Sequence, residues 1–63
     1  MNDFNKILKA IEKGGYKLSN NCRANTYDYW EWSNNKEITI YLSDYEQPID
    51  FNFDKDGNLI EIC

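Results

Sequence analysis

Apolar residues near the start of the chain recur with the spacing of an α-helix. Four of them fall at positions i, i+3, i+4 and i+7 and so share one stripe of a helix surface: Phe4, Ile7, Leu8 and Ile11. Asn2 or Asp3 is available as the N-cap, and Gly14 stands where the left-handed C′ residue is expected. The pattern predicts a helix over residues 3–13.

From residue 26 onward, apolar and polar residues alternate with the period of two that is typical of half-buried strands. The alternation predicts four strands, over residues 26–33, 37–42, 49–54 and 58–62. Residues 16–19 are a candidate fifth strand. The side chains predicted to face the helix are Trp30, Trp32, Ile38, Ile40, Leu42, Ile49, Phe51, Phe53, Ile60 and Ile62.

Three connections set the predicted register, because a register must join core positions to core positions. Asp56-Gly57 is a strong signal for a two-residue hairpin turn, and residues 43–48 form the preceding loop. The expected pairs are Phe53 with Ile60, Phe51 with Ile62, Leu42 with Ile49, and Ile40 with Phe51. These pairs describe an antiparallel meander under one helix, an α+β fold in a single small domain over residues 1–63.

The two tryptophans decide the remaining connection. Trp30 and Trp32 are predicted to be core residues that face the helix, because so short a chain has few other large apolar side chains. A two-residue turn at Asn34-Asn35 would set Trp32 opposite Glu37. A three-residue loop or a bulge, which brings Trp32 opposite Ile38, is therefore expected instead.

Composition and charge narrow the class of protein. The chain has 63 residues, is 41% hydrophobic and 16% aromatic, and contains no histidine, which excludes a Cys/His metal site. Residues 1–23 carry five basic and two acidic side chains, whereas residues 24–63 carry two basic and nine acidic ones. With no apolar segment of signal or membrane-spanning length, a cytoplasmic protein without a membrane contact is expected. Cys22 and Cys63 are expected to be reduced thiols.

The sheet face that the helix leaves uncovered is the predicted site of function, because it meets either solvent or a partner. Seven residues are expected to form a protein-binding patch there: Tyr27, Tyr29, Glu31, Glu37, Tyr41, Asp50 and Asp54. Tyrosine is enriched where proteins meet. The alternative interpretation is that acids and tyrosines are ordinary residues of an exposed strand surface.

The charge of this patch indicates what it binds. Sheet aromatics that stack nucleic-acid bases work beside basic grooves, so the negative charge here disfavours nucleic acid and favours a protein with a basic surface. Acids at i and i+2 of a strand lie about 6.6–6.8 Å apart, a spacing that approximates a row of phosphates. In size, acidity and sheet content the chain resembles small phage-encoded inhibitors of host or anti-phage enzymes.

The functional prediction is therefore a non-enzymatic binding protein, most sharply an inhibitor of a nucleic-acid-processing or defence enzyme, in a bacterial or phage-infected cell. A homodimer or a permanent subunit that uses the same face is the alternative. Neither a metal nor a cofactor is expected. Asp54, Asp56, Asn58 and Glu61 superficially resemble a calcium loop, but Gly57 and Glu61 stand at the wrong spacing for one.

Overall fold

The predicted helix is confirmed by the computed structural model, which describes residues 2–63. Helix α1 spans Asp3–Lys13, and the Oδ1 atom of its N-cap residue Asn2 accepts a hydrogen bond from the amide of Asn5 at 2.8 Å. At the other end Gly14 is right-handed, and Gly15, with a φ of 92°, takes the left-handed position predicted for Gly14.

Five strands follow the helix and form one sheet in the order β1-β2-β3-β4-β5. They are β1 (Lys17–Leu18), β2 (Thr26–Glu31), β3 (Asn35–Tyr41), β4 (Ile49–Asp54) and β5 (Leu59–Ile62). Neighbours from β2 to β5 are antiparallel, whereas β1 runs parallel to β2. The α+β class is confirmed, but the expectation of a purely antiparallel sheet is wrong, because the loop after β1 returns the chain to the same end of the sheet.

The β2–β3 connection differs from the expected one, and the difference exchanges the two faces of β2. The amide of Trp32 donates to the carbonyl of Asn35 at 2.8 Å, so the loop is the two residues 33–34. This turn pairs Tyr29 with Ile38, and pairs Trp30 with Glu37. A register that slips by an odd number of residues turns every side chain to the opposite face.

The prediction that Trp30 and Trp32 face the helix is therefore wrong. Tyr27 is only 4% exposed beneath the helix, whereas Trp30 and Trp32 are 38% and 49% exposed. Tyrosine and tryptophan alternate along β2, so pattern alone fits either assignment.

The β3–β4 pairing keeps the predicted faces but slips by two residues. Ile40 pairs with Ile49 and Ile38 with Phe51, while Leu42 leaves the sheet and is exposed. The longer loop is held by the segment before β2. Within this loop, the carboxylate of Asp44 accepts hydrogen bonds from the amide of Ala24 at 2.7 Å and from Nε of Arg23 at 3.3 Å.

The last hairpin combines a three-residue loop with a bulge. The amide of Asp54 donates to the carbonyl of Asn58 at 2.9 Å, and Gly57 is left-handed with a φ of 86°. Phe53 consequently pairs with Leu59 rather than with Ile60. The bulge then restores the predicted pair of Phe51 with Ile62.

The core lies between α1 and the sheet. Its buried side chains are Phe4, Tyr27, Ile38 and Phe53, with Ile7, Leu8, Ile11, Ile40 and Phe51 packed around them. The ring of Phe4 packs edge-to-face on Phe53 at 5.3 Å and on Tyr29 at 6.1 Å. Within the described part of the chain, no helix has the length and apolar character needed to span a membrane.

The start of the helix is clamped to the turn between β4 and β5. The amide of Phe4 donates to the carbonyl of Gly57 at 2.9 Å, and the carboxylate of Asp3 accepts from the amide of Leu59 at 2.9 Å. Nδ2 of Asn2 donates to the carbonyl of Asp56 at 2.9 Å. These contacts hold α1 over one face of the sheet.

Candidate functional site

The candidate site is the sheet face opposite α1, called here the open face. Strand alternation and the observed register place eight residues at its centre: Asp28, Trp30, Glu37, Thr39, Tyr41, Asp50, Asn52 and Glu61. Four of these residues are acidic and none is basic. The acids stand on four neighbouring strands, β2 to β5, so the open face is negative across its width.

The acids alternate with neutral residues in two rows that cross the sheet. In one row Thr39 separates Asp28 from Asp50. In the other row Asn52 separates Glu37 from Glu61. Successive acids in a row are about 9.4–9.8 Å apart, which is twice the distance between neighbouring strands. No two of the four are direct cross-strand neighbours, and this spacing limits their repulsion.

Thr39 holds the centre of the open face in place. It is only 5% exposed, and its hydroxyl donates a hydrogen bond to Oδ1 of Asp50 at 2.8 Å. Because a buried hydroxyl is costly to leave unpaired, this bond orients the carboxylate of Asp50.

The charge of Asp50 acts on the groups around it. Burial first, and then the charge of Asp50, raise the pKa of Glu37. The pKa of Cys63 is raised by burial, by Glu61 and by Asp50. A hydrogen bond to the thiol of Cys22, together with burial and the nearby acids, raises the pKa of Tyr41. The negative charge of Asp50 therefore extends to Glu37 on the neighbouring strand and to the thiol and phenol groups nearby.

Two tryptophans form the aromatic part of the site at the β2 end of the open face. The rings of Trp30 and Trp32 are stacked, with their centroids 6.2 Å apart and their planes within 3°. Trp30 lies directly across from Glu37 on β3. A large, half-exposed aromatic surface therefore borders the acidic rows.

Four of the seven residues predicted to form the patch lie on the open face: Glu37, Tyr41 and Asp50 at its centre, and Asp54 at the end of β4. The cross-strand neighbours of Tyr41 and Glu37 are uncharged: Tyr41 pairs with Thr26, and Glu37 pairs with Trp30 and Asn52.

Three other predicted residues lie on the helix side, so their assignment to the open face is wrong. Tyr27 is buried, and burial and the nearby carboxylate of Glu12 raise its pKa. Tyr29 packs against the ring of Phe4. Glu31 lies 3.6 Å from Nζ of Lys36, its cross-strand partner. The short β2–β3 turn is the cause in each case.

Asp54, the seventh predicted residue, holds the turn between β4 and β5 through hydrogen bonds. Its carboxylate accepts hydrogen bonds from the amides of Asp56 and Asn58, both at 2.9 Å, and from Nδ2 of Asn58 at 3.1 Å. The bonds from Asn58 are the main cause that lowers the pKa of Asp54. The carboxylate oxygens of Asp54 are thus occupied by hydrogen bonds within the turn. Residues 2–63 contain no group of three or more Asp, Glu, Cys or His side chains placed to hold a metal ion.

The patch predicted from the sequence omitted Asp28, Trp30, Trp32, Thr39, Asn52 and Glu61. A signal for the first three was present in the sequence. A turn at Ser33-Asn34 pairs Tyr27 with Ile40 and Tyr29 with Ile38. Asp28 and the two tryptophans then lie on the other face of the sheet.

Comparisons of the chain with protein-family models, with curated proteins and with solved structures find no match. The open face itself is therefore the basis of the functional argument.

Proposed function

We propose that the protein is a non-enzymatic binding protein that holds a basic surface of another protein against its open face. The observation that carries the proposal is the combination of acids on four neighbouring strands, without a basic side chain among the eight central residues, and an exposed tryptophan pair beside them. Complementary charge speeds encounter and selects the partner, and large aromatic residues supply most of the binding free energy at many interfaces.

The exposed position of Trp30 and Trp32 supports a binding role for them. Burial of an aromatic side chain stabilises a small fold, yet these two remain half exposed while Phe4 and Phe53 fill the core. Tryptophan is among the residues most enriched at binding hot spots. In the proposal the tryptophans anchor the partner, and the acids orient it.

The sharper form of the proposal is an inhibitor that occupies the nucleic-acid-binding surface of an enzyme. Such a surface is basic and accommodates evenly spaced negative charges. Each of the two rows on the open face presents two acids about 9.4–9.8 Å apart, held in place by the sheet and, at Asp50, by Thr39. A rigid acidic sheet meets that requirement without the ordering cost of a flexible acidic tail.

The test begins with capture of a binding protein from a bacterial lysate on the immobilised chain. The captured protein is then measured against Trp30→Ala and against the double variant Glu37→Gln/Asp50→Asn. The control, Glu46→Gln/Asp56→Asn, also removes two negative charges, but from the loops before and after β4.

We expect both open-face variants to weaken binding by about tenfold or more and the control to change it by less than about twofold. Binding should weaken as salt is raised, and a duplex DNA or RNA oligonucleotide should compete for the partner. Equal binding by all variants would overturn the proposal. A stable homodimer that buries the tryptophans would instead identify the face as a self-association surface.

A further inference from the structure

The outer edge of β5 is a second surface with the properties of a binding site. Within residues 2–63 this strand pairs with β4 alone, and each of its four residues is exposed. An edge strand presents unpaired backbone groups to which another strand can add. The amide of Leu59 is already bound by the carboxylate of Asp3, so the end of the strand at Ile62 is the accessible part. The opposite edge is β1, which has only two residues and offers a much shorter template.

The backbone of Ile62 is directed toward the free edge. Asp50 and Cys63 exchange both of their backbone hydrogen bonds, at 2.9 and 3.2 Å. In an antiparallel pair, the next residues along are not hydrogen-bonded to each other. The N–H and C=O groups of Ile62, which lies opposite Phe51, therefore point away from β4.

The side chains of the edge have different chemistry on the two faces of the sheet. On the helix side, Leu59 and Ile62 extend the apolar surface of Phe53 and Phe51, and both are exposed. On the open face, Glu61 continues the acidic row that crosses the sheet. A strand added at this edge would therefore meet apolar side chains on one face and carboxylates on the other.

We propose that β5 accepts an extended segment of another protein in which apolar residues alternate with lysine or arginine. Its backbone pairs with the outward groups of Ile62, its apolar residues cover Leu59 and Ile62, and its cations lie near Glu61. A second copy of this chain is a poor occupant, because it brings a further net charge of −4 and its own acidic strands. The inference does not rest on the function proposed for the open face.

The probe is a synthetic eight-residue peptide of alternating valine and lysine with blocked ends. Its control is the same peptide N-methylated along the backbone, which keeps the side chains and charge but cannot pair as a strand. Binding is followed on the full chain through its backbone amide NMR signals, together with hydrogen exchange at the amide of Ile62.

The matched variants are Ile62→Lys and Leu18→Lys. The two positions are almost equally exposed, at 56% and 57%, and lie on opposite edges of the sheet. Both variants replace a neutral residue by lysine and therefore change the charge by the same amount. A third variant, Ile62→Pro, removes the outward N–H without removing a hydrogen bond to β4. The amide spectrum of each variant without peptide verifies its fold.

We expect the peptide to slow exchange at Ile62 and the methylated peptide to bind at least about tenfold more weakly. Ile62→Lys should weaken binding by a similar factor, and Leu18→Lys by less than about twofold. Equal binding of the two peptides, or equal losses in the two lysine variants, would show attraction by charge alone and overturn the proposal. Protection of the Ile62 amide in a dimer without peptide would show that a second copy occupies the edge, and would overturn it too.

Discussion

The two faces of the sheet use their aromatic residues for different purposes. Under the helix, Phe4 packs edge-to-face against Tyr29 and Phe53, and Nζ of Lys36 lies 5.6 Å from the centre of its ring. On the open face, Trp30 and Trp32 stack on each other and remain half exposed. The comparison indicates that the buried rings of Phe4 and Phe53 hold the fold together, whereas the tryptophan pair is available to a partner. Tyr29 is almost as exposed as Trp30, at 36%, but lies on the helix side against Phe4.

The helix and the open face of the sheet also differ in charge. The helix carries three lysines and two acids, a net charge of +1, whereas the acids at the centre of the open face have no basic residue among them. The helix is thus weakly positive, whereas the open face of the sheet is negative. Such a distribution orients an approaching basic partner toward the open face.

The largest expected effect tests the difference between the aromatic groups. Phe4→Ala should lower the free energy of unfolding by about 3–5 kcal/mol, close to the entire stability of so small a domain. Trp30→Ala should lower it by less, about 1–3 kcal/mol, because its side chain is only partly buried. Urea unfolding followed by circular dichroism measures both values. Equal losses would show that the tryptophans also belong to the core.

The second prediction concerns the clamp that sets which face the helix covers. Gly57→Ala places a methyl group in a left-handed residue and against the side chain of Asn2, where it overlaps the amide. Gly15→Ala is the matched control, because Gly15 is also left-handed but has open space around it.

We expect the control to cost about 1–2 kcal/mol from the backbone conformation alone. Gly57→Ala should cost more, because Asn2 must move as well. Thermal unfolding of both variants measures the difference. Similar losses in the two would mean that the contact between Asn2 and the turn adds little to the fold.

The third prediction concerns the centre of the open face. Thr39→Val keeps the shape of the side chain but removes the hydroxyl that donates to Asp50. We expect a loss of about 1 kcal/mol in unfolding free energy. Partner binding should also weaken, since the Asp50 carboxylate loses its fixed orientation. Thr26→Val, which removes the 2.6 Å bond to the carbonyl of Arg23, is a control for the loss of a buried hydroxyl away from Asp50. A matching loss of binding in the control would argue against a role for Asp50 orientation.

The smallest expected effect is a contrast in pH dependence between two acids. The pKa of Glu37 is raised, so its ionised form opposes folding at neutral pH. Glu37→Gln should therefore be slightly more stable than the unsubstituted protein at pH 7. The gain should disappear as pH falls through the raised pKa to the ordinary value of 4.5.

Asp54 should behave in the opposite way, because its pKa is lowered. Its ionised form contributes stability above the ordinary value of 3.8, and that stability is lost as pH falls through the lowered pKa. Asp54→Asn should accordingly be less stable at pH 7, and the deficit should shrink in acid. Thermal melts between pH 7 and strong acid compare the two variants, and slopes of the same sign would contradict the assignment.

Local features of the structure were predictable from the sequence because their determinants lie within a few residues. The apolar stripe of Phe4, Ile7, Leu8 and Ile11 indicates the helix without reference to anything else in the chain. The left-handed glycine at position 57 indicates the last turn, and the β3 and β4 faces follow from their isoleucines and phenylalanines. Of the candidate site, Glu37, Tyr41 and Asp50 were predictable on this basis.

The sequence by itself determined the helix, the strands from β2 to β5 and the alternation within each of them. Only the tertiary structure decided which face of β2 lies toward the helix, because tyrosines and tryptophans are both suitable for a core. The choice depends on a two-residue turn and on a helix clamped by Asn2, Asp3 and Phe4 to the turn at Gly57, more than fifty positions away in the chain. Alternation defines two faces but not which one is buried, since burial depends on contacts between residues distant in sequence.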